Sequence, residues 1–262
     1  MLYALIVIYN KECGNCKTLN KLLEYKSKID LIIFDNSTKP NNNESFCKQN
    51  NLTYFTKHEN LGLSKAYNYS IENTEKKTGN YIIILDDDTE LSDEYIKEAL
   101  DTTNKNEFGL ILPVVKSDKI IMSPVKLQFG CRGKAVKNLN KLNLNKCTAI
   151  NSGMIIKLDV FNNLKYNENL FLDSVDHDFM CQIHAQNIKI HIMDSIIYQN
   201  FSREEKSSIE SALIRFNIYK KDFKTFCKTY KKMWFYKLSI LKFGIKECIK
   251  YKTTKFIPYI FS

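Results

Sequence analysis

Short apolar runs alternate with helical patterns in the first half of the chain, and this alternation constrains the fold more than any other feature. The runs, rich in β-branched and aromatic residues, are residues 5–8, 29–34, 53–56 and 81–85. Apolar residues at helical spacing separate them, as at Leu19, Leu22 and Leu23. Strands that alternate with helices predict an α/β fold with a doubly wound, mostly parallel sheet that is covered on both faces.

The second half of the chain is less regular. Its predicted strands are residues 110–115, 119–122, 188–193 and 149–156, the last interrupted at Gly153. The stretch 138–146 is rich in Asn, Lys and Leu, and we expect it to be a loop or a weak helix.

The basic charge of the chain is concentrated at its C-terminal end. The 262 residues include 39 Lys and Arg against 29 Asp and Glu. From Arg215 onward there are thirteen basic residues, and only Asp222 and Glu247 oppose them, so this tail carries a net charge of +11 and the remainder −1. We therefore expect a near-neutral globular body followed by a strongly basic tail.

The sequence argues against several classes of protein. No apolar run approaches the ~18–20 residues that cross a bilayer, and residues 2–9 lack the basic flank and cleavage site of a signal peptide. The glycine-rich phosphate loops of Rossmann dehydrogenases and P-loop NTPases are not present. The eight cysteines include one close pair, Cys13 and Cys16, and we expect reduced thiols in a cytosolic protein.

The sharpest chemical signal is the acidic triplet Asp86, Asp87 and Asp88, directly after the strand predicted at residues 81–85. Ligands of open parallel sheets bind beyond the carboxyl ends of the strands. Three adjacent carboxylates repel one another unless a cation or hydrogen-bond donors compensate, and Mg²⁺ sites combine one or two carboxylates with substrate phosphates. The triplet therefore favours a metal–diphosphate site over a solvated turn that leads into a helix.

Six segments, in order along the chain, resemble those of family 2 glycosyltransferases with the GT-A fold, most of all the bacterial rhamnosyltransferase-type members. They are residues 5–10 (LIVIYN), 33–37 (IFDNS), 59–68 (ENLGLSKAYN), 85–89 (LDDDT), 151–154 (NSGM) and 171–178 (FLDSVDHD). The resemblance implies a GT-A catalytic domain at residues 1–208, with a nucleotide-binding half at 1–105 and an acceptor half at 106–208. A basic amphipathic helical tail follows at residues 209–262.

The resemblance also implies a nucleoside-diphosphate sugar donor of the UDP or dTDP type. Tyr9 and Asp35 are expected beside the base and the ribose. Asn60 and Gly62 are expected to shape the loop near the nucleotide, and Asn68 to support it from the following helix.

Within the acidic triplet, the resemblance implies that Asp88 ligates Mn²⁺ or Mg²⁺ at the diphosphate. Asp86 is expected at the ribose or the metal and its bound water, and Asp87 belongs to the donor-binding set. The residues expected to line the cleft between donor sugar and acceptor are Ser152, Gly153, Asp173, His177 and Asp178.

Asp176 matches the general base of the family. In an inverting transfer the acceptor hydroxyl attacks the anomeric carbon opposite the departing nucleoside diphosphate, and a carboxylate that takes its proton contributes ~10²–10⁴-fold. The base and the metal must lie on opposite sides of the sugar, which the separation of Asp88 and Asp176 in the sequence allows. Residues 197–200 stand where the family often has a histidine metal ligand, so the sequence leaves the third ligand undetermined.

The aromatic residues of the tail between Phe216 and Trp234, placed at 100° per residue, gather within about one third of a helical wheel, opposite a row of lysines. Two interpretations are open: the helix lies on an anionic membrane surface, or its aromatic stripe packs on the catalytic domain. The apolar, lysine-rich end of the chain favours the membrane. We therefore expect a cytoplasmic protein, peripheral at the inner face of the cell membrane.

These observations predict a metal-dependent inverting glycosyltransferase that acts on a glycan or a lipid-linked saccharide in cell-surface polysaccharide biosynthesis. One alternative is a sugar nucleotidyltransferase, but residues 10–15 lack the arginine of its glycine-rich loop. The other is a non-enzymatic nucleic-acid-binding protein. We expect no nucleic-acid partner, because the charge lies on one tail and the acids at the strand ends would repel phosphate without a metal.

Overall fold

A central β-sheet organises the chain, whose computed structural model describes residues 1–75, 77–199 and 208–261. The strands are β1 (Leu2–Ile8), β2 (Asp30–Asp35), β3 (Thr53–Thr56), β4 (Tyr81–Asp86), β5 (Leu110–Ser117), β6 (Ile120–Ser123), β7 (Val125–Gln128), β8 (Arg132–Lys134), β9 (Cys147–Thr148), β10 (Met154–Lys157) and β11 (Ile190–Tyr198). The helices are α1 (Lys17–Leu23), α2 (Asn43–Asn50), α3 (Leu63–Glu72), α4 (Asp93–Lys105), α5 (Val175–Ala185), α6 (Ile209–Thr229), α7 (Met233–Tyr251) and α8 (Ile257–Phe261).

Among the described residues, eight strands form the central sheet in the order β11-β5-β10-β4-β1-β2-β3, with β6 paired to β5. The pairs β1–β2, β1–β4, β2–β3 and β5–β11 are parallel. Strand β10 runs antiparallel between β4 and β5. A small second sheet has the order β8-β7-β9. The prediction of a doubly wound, mostly parallel sheet is confirmed.

Strand β1, near the middle of the sheet, is buried at every position, and its side chains reach the cores on both faces of the sheet. In β1, Leu5 and Val7 point into the core beneath α3, α5 and α6, whereas Ala4 and Ile6 point into the core beneath α1 and α4. Side chains alternate along a strand, so one continuous apolar run supplies both cores.

Two strand boundaries in the second half differ from the prediction, whereas residues 138–146 form the loop with weak helical turns that the sequence suggests. Residues 149–153 are not a strand, because Gly153 adopts a left-handed backbone (φ +81°) and only Met154–Lys157 pairs with β4 and β5. Strand β11 extends to Tyr198, beyond the predicted end, by continuing its pairing with β5 past an irregularity. Within residues 138–146 there are two single turns of 3₁₀ helix, Leu139–Lys141 and Leu144–Lys146.

The predicted helical extension at the C-terminal end is confirmed. Its aromatic residues are divided between two helices, α6 and α7. Phe216, Phe223 and Phe226 of α6 are buried in the same core as Leu5 of the central sheet, which supports the interpretation that the stripe packs on the rest of the chain. Helix α6 ends at Thr229, so Trp234 belongs to α7.

The predicted boundary at residue 208 adjoins residues 200–207, which lie outside the described residues, and stays a prediction. In the described ranges, no helix has both the length and the apolarity needed to span a membrane.

Truncation of Phe226 tests whether α6 is part of the core. Because Phe226 is fully buried, Phe226→Ala is expected to lower the free energy of unfolding by about 3–5 kcal/mol in urea denaturation. Ile214 lies on the same helix with most of its side chain exposed, and Ile214→Ala should change the free energy by less than about 0.5 kcal/mol. Equal, small effects of the two substitutions would contradict the packing of α6.

Candidate active site

The ends of β1 and β2 are tied together by the loops that follow them. The Asn36 N–H donates to the Ile8 carbonyl at 2.8 Å, and the Asn10 N–H donates to Ser37 Oγ at 2.7 Å. Asn10 adopts a left-handed backbone (φ +50°), and its side-chain oxygen accepts the Thr38 N–H at 3.0 Å. The loops therefore form one ledge at the carboxyl edge of the sheet, and Tyr9 projects from it with half of its side chain exposed.

Asp35 is buried at the end of β2. Its carboxylate accepts hydrogen bonds from the Ser37 N–H (3.0 Å), the amides of Asn41 (2.8 Å) and Asn43 (2.9 Å), and the Tyr54 hydroxyl (3.0 Å). Burial acts to raise the pKa of Asp35, but the hydrogen bonds, those from Ser37 and Asn43 foremost, outweigh it and hold the pKa below its ordinary value. Both oxygens are thus engaged by the chain, and a contact with the nucleotide stays a prediction for this residue.

The loop that contains Asn60 and Gly62 connects the ledge to the later part of the chain. Asn36 donates its side-chain amide to Asn60 Oδ1 at 2.9 Å, and that oxygen also accepts the Gly62 N–H at 3.0 Å. Gly62 has φ +78°, and a Cβ there would lie 2.5 Å from the Phe171 ring and 2.6 Å from the Phe171 carbonyl oxygen. Only glycine allows this approach, which lets the Leu63 N–H donate to that carbonyl at 2.6 Å.

The acidic triplet lies where β4 ends. Ser152 Oγ donates a hydrogen bond to Asp86 Oδ2. Burial raises the pKa of Asp86, and the neighbouring charges of Asp88 and Asp87 raise it further. Asp87 forms an ion pair with Lys11 (Nζ–Oδ1 3.2 Å), while burial raises its pKa. Asp88 is exposed.

The first helix holds the backbone of the triplet in place. Thr18 Oγ1 donates to the Asp86 carbonyl at 2.6 Å and lies 3.1 Å from the Thr89 carbonyl. The Cys16 thiol donates to the Asp87 carbonyl at 3.2 Å. These two positioning residues were not predicted, because the only signal in the sequence is a pair of polar side chains at the start of a helix, which is common for other reasons.

The donor atoms of the triplet fit a divalent cation that takes most of its ligands from elsewhere. In residues 1–75, 77–199 and 208–261, no group of three or more His, Cys, Asp or Glu residues is arranged to hold a metal. Mg²⁺ commonly uses one or two carboxylates together with phosphate oxygens and water. Burial and then the charge of Asp88 raise the pKa of Asp86, and a cation bound at these carboxylates would relieve the repulsion between them.

Asp176 lies in the first turn of α5, which begins after Ser174 in a left-handed conformation (φ +62°). Asp176 Oδ1 accepts the backbone N–H of His177 at 2.7 Å, and His177 Nδ1 lies 2.6 Å from Thr148 Oγ1. Burial raises the pKa of Tyr67 well above its ordinary value, and the charges of both Asp86 and Asp176 raise it further. The segment 148–152 connects the two regions, because Thr148 contacts the residue after Asp176 and Ser152 donates to Asp86.

Helix α6 holds the segment just before the predicted base. The buried carboxylate of Asp222 accepts the backbone N–H groups of Phe171 (3.0 Å), Leu172 (2.8 Å) and Asp173 (2.8 Å). Arg215 pairs with both oxygens of Asp173, with Nη2 2.7 Å from Oδ1, although burial keeps the pKa of Asp173 raised. No role for Asp222 was predicted from the sequence. The only sign of such a role in the sequence is that Asp222 is a single acidic residue beside the aromatic stripe.

The remaining predicted cleft residues have mainly structural contacts. Asp178 is buried and accepts hydrogen bonds from the Gln182 amide (2.8 Å) and the Tyr230 hydroxyl (3.2 Å), and burial raises its pKa. Gly153 acts through its backbone, because its carbonyl accepts the Tyr95 hydroxyl at 2.7 Å and a Cβ would clash with Ile197.

The edge of the sheet that carries these residues is distinct from two cavities elsewhere in the described part of the chain. Those cavities, of about 320 and 300 Å³, lie near the amino ends of β5 and β2. None of the predicted site residues lines them. The candidate site is an open ledge between the first and second halves of the sheet.

The pattern of glycosyl transferase family 2 matches residues 3–165. The chain belongs to this family. It is 25% identical over 201 residues to the dTDP-rhamnosyl transferase RfbF of Shigella flexneri, which covers 74% of this chain and 67% of the relative. The assignment as a rhamnosyltransferase-like family 2 glycosyltransferase, an enzyme that uses a nucleotide sugar, is therefore confirmed.

Solved structures of other glycosyltransferases share the fold of this family 2 member. TarS 1-349 of S. aureus superposes with a TM-score of 0.54 at 16% identity, covering 87% of this chain and 72% of that one. GalNAc-T7, solved with UDP, GalNAc and Mn²⁺, gives a TM-score of 0.57 at 12% identity, covering 87% of this chain and 47% of that one. At these identities the likeness concerns the fold, and it confirms the GT-A architecture.

Removal of the charge of Asp35 tests its place in the ledge. The pKa of Asp35 in the folded chain lies below the ordinary value of 3.8, so the ionised carboxylate stabilises the fold above that value and the contribution is lost as the pH falls through the folded pKa. Asp35→Asn is expected to cost about 1–3 kcal/mol at neutral pH, because it leaves buried donors unpaired. The difference from the wild type should shrink on acidification.

Urea unfolding over a series of pH values measures this difference. Asp30→Asn is the matched control, since Asp30 is exposed at the other end of the same strand. A difference for Asp35→Asn that stays constant with pH would contradict the hydrogen-bonded, ionised state of Asp35.

Proposed function

We propose that this family 2 glycosyltransferase is an inverting, metal-dependent enzyme that moves a hexosyl or deoxyhexosyl group from a nucleoside-diphosphate sugar to a glycan or a lipid-linked saccharide, in the biosynthesis of a cell-surface polysaccharide. One observation carries the proposal. Asp86 and Asp176 are far apart in the sequence, yet the segment 148–152 contacts the surroundings of both: Ser152 Oγ donates to Asp86 Oδ2, and Thr148 Oγ1 lies 2.6 Å from Nδ1 of His177, the residue after Asp176. An inverting transfer requires a donor-side carboxylate and an acceptor-side carboxylate at one site.

For the donor we propose a dTDP- or UDP-sugar. The sequence relative is a dTDP-rhamnosyl transferase, and TarS has been solved with UDP and with UDP-GlcNAc. Tyr9, exposed on the ledge, and the loop of Asn60 and Gly62 are the groups proposed to bind the nucleoside, with Asp35 organising the ledge beneath them.

For the cofactor we propose Mn²⁺ or Mg²⁺ held by Asp88 and Asp86, with Asp88 presenting the exposed carboxylate. The Mn²⁺ in the GalNAc-T7 structure supports a divalent cation in this fold. When bound, such a cation neutralises the negative charge that gathers on the leaving diphosphate. Ser152 orients Asp86 through its hydrogen bond, and Lys11 holds Asp87 by an ion pair.

For the base we propose Asp176, which takes the proton of the acceptor hydroxyl. The His177 N–H holds one oxygen of Asp176, so the other oxygen is available for the hydroxyl. Asp173, His177 and Ser152 are proposed to border the acceptor. Arg215 and Asp222 act as positioning residues, because they hold the segment that leads into α5.

No observation favours the two alternative functions. The family match covers the first strands of the sheet and the acidic triplet. No feature of the sequence or the structure therefore favours a sugar nucleotidyltransferase or a nucleic-acid-binding protein over a glycosyltransferase. We keep the cytoplasmic face of the membrane as the proposed location, with the tail in contact with anionic lipid.

Loss of the exposed acid of the triplet tests the donor and metal assignments together. A panel of dTDP- and UDP-sugars with Mn²⁺, read by thermal stabilisation of the protein, should show stabilisation that chelation removes. Asp88→Ala is expected to abolish the metal-dependent part because it removes a ligand. Asp101→Ala, in an exposed position of α4, is the matched control. Stabilisation that Mn²⁺ still enhances in Asp88→Ala would refute the metal assignment.

Neutralisation of the proposed base separates binding from chemistry. Asp176→Asn should keep donor-induced stabilisation and lower transfer by ~10²–10⁴-fold, because the amide cannot accept the hydroxyl proton. Release of nucleoside diphosphate in the presence of acceptor measures the rate. Asp194→Asn, at an exposed position of β11, should retain the wild-type rate. Full turnover of Asp176→Asn would overturn the assignment of the base.

A further inference from the structure

An apolar stripe lies exposed along one side of α7. Its five side chains keep between 39% and 72% of their surface accessible, and they are Trp234, Leu238, Leu241, Ile245 and Ile249. At 100° per residue they occupy an arc of about 80°. The opposite side of the helix, with Tyr236 and Ile240, is buried in the core, so the exposed stripe is not needed to attach α7 to the protein.

Lysines border the stripe on both sides. Lys237 lies on one flank and Lys242 and Lys246 lie on the other, all three of them exposed. The one acidic residue of the helix, Glu247, falls outside the stripe and its flanks. An apolar stripe between two rows of cations is the pattern of a helix that lies in the plane of a membrane surface.

The hairpin of β7 and β8 extends this surface beyond the tail. Phe129, at its turn, is half-exposed and meets the Trp234 ring edge to face, with the ring centroids 6.1 Å apart. Lys126 and Lys134 are directly opposite in the pairing of the two strands, and both are exposed. Like charges in this arrangement destabilise a hairpin unless anions screen them. We call the stripe, Phe129 and the flanking basic residues the docking face.

We propose that the docking face binds an anionic membrane surface. The apolar side chains would lie at the level of the lipid headgroups, and the lysines would reach the lipid phosphates, since their long stems keep the charge in water while the body of the helix is buried. From the sequence, two interpretations of the stripe between Phe216 and Trp234 are open, and the apolar, lysine-rich end of the chain favours the membrane. The α6 stripe is in the core, and the surface includes a hairpin of the predicted acceptor half.

Charge complementarity favours lipid over a second copy of the chain. A two-fold symmetric contact places the same surface on both partners, so two docking faces would bring lysine-flanked stripes against each other. An anionic bilayer supplies both an apolar layer and a sheet of phosphates, and each Lys near such a surface strengthens the attraction.

The docking face is also connected to the proposed base. A Cβ added to Gly133 on the inner side of the hairpin would lie 4.0 Å from His177 Cε1, and His177 follows Asp176. Membrane contact would therefore orient the acceptor side of the ledge relative to the lipid. This deepens the proposed function, and only this last step rests on a lipid-linked acceptor.

Co-sedimentation with vesicles tests the proposal. The full chain should bind vesicles of phosphatidylglycerol mixed with phosphatidylcholine, less tightly as salt is added, and should bind vesicles of phosphatidylcholine alone weakly. Ile245→Gln/Ile249→Gln should weaken binding at least about tenfold through lost apolar burial. Ile120→Gln, an equally exposed isoleucine on β6, should leave binding unchanged.

A second pair of variants tests the charge. Lys242→Gln/Lys246→Gln should weaken binding to the anionic vesicles by about 30-fold, whereas Lys97→Gln/Lys105→Gln on the exposed side of α4 should not. Each variant should unfold at the wild-type temperature, because the substituted side chains are exposed.

Three outcomes would overturn the proposal: wild-type vesicle binding by both docking-face variants, equal binding to anionic and neutral vesicles, or a dimer in sedimentation velocity that Ile245→Gln/Ile249→Gln dissociates. Donor-induced thermal stabilisation is measured in the same variants and should be unchanged. If vesicle binding follows the predictions but no nucleotide sugar stabilises the protein, the docking face stands and the proposed donor chemistry fails.

Discussion

One buried carboxylate, that of Asp222, connects the basic tail to the segment that precedes the proposed base. It accepts three consecutive backbone N–H groups at residues 171–173. Burial of a charge is costly unless hydrogen-bond donors surround it, and hydrogen bonds to an ionised acceptor are among the stronger ones in proteins. These three hydrogen bonds attach the segment that leads into α5 and Asp176 to a helix of the basic tail.

The loop after β3 also contacts residues 171–173. Gly62 allows the loop after β3 to approach Phe171 closely, and the Leu63 N–H binds the Phe171 carbonyl. The loop after β3 and helix α6 therefore both bind residues 171–173, which lead into α5. Distortion at this point would displace that loop, the start of α5 and α6 together, because interior packing transmits small shifts.

The candidate site was predictable to the extent that its residues occur in local patterns. Asp86–Asp88 follow an apolar strand, and a strand of that kind places its end at the ligand edge of a parallel sheet. Thr18, Cys16 and Asp222 could not be found in this way, since each satisfies backbone groups that belong to a distant part of the chain. Gly153 misled the strand prediction for a similar reason: its left-handed backbone, packed against Tyr95 and Ile197, separates residues 149–152 from the strand that begins at Met154.

The sequence by itself determined the α/β class, the alternation of strands and helices in the first half, the position of the acidic triplet and the basic character of the tail. These properties follow from periodicity and composition, which are local. Only the tertiary structure decided which amphipathic stripe of the tail is buried. Both α6 and α7 carry an apolar stripe flanked by lysines, so their patterns are equivalent, and the choice between them is made by the shape of the core into which Phe216, Phe223 and Phe226 fit.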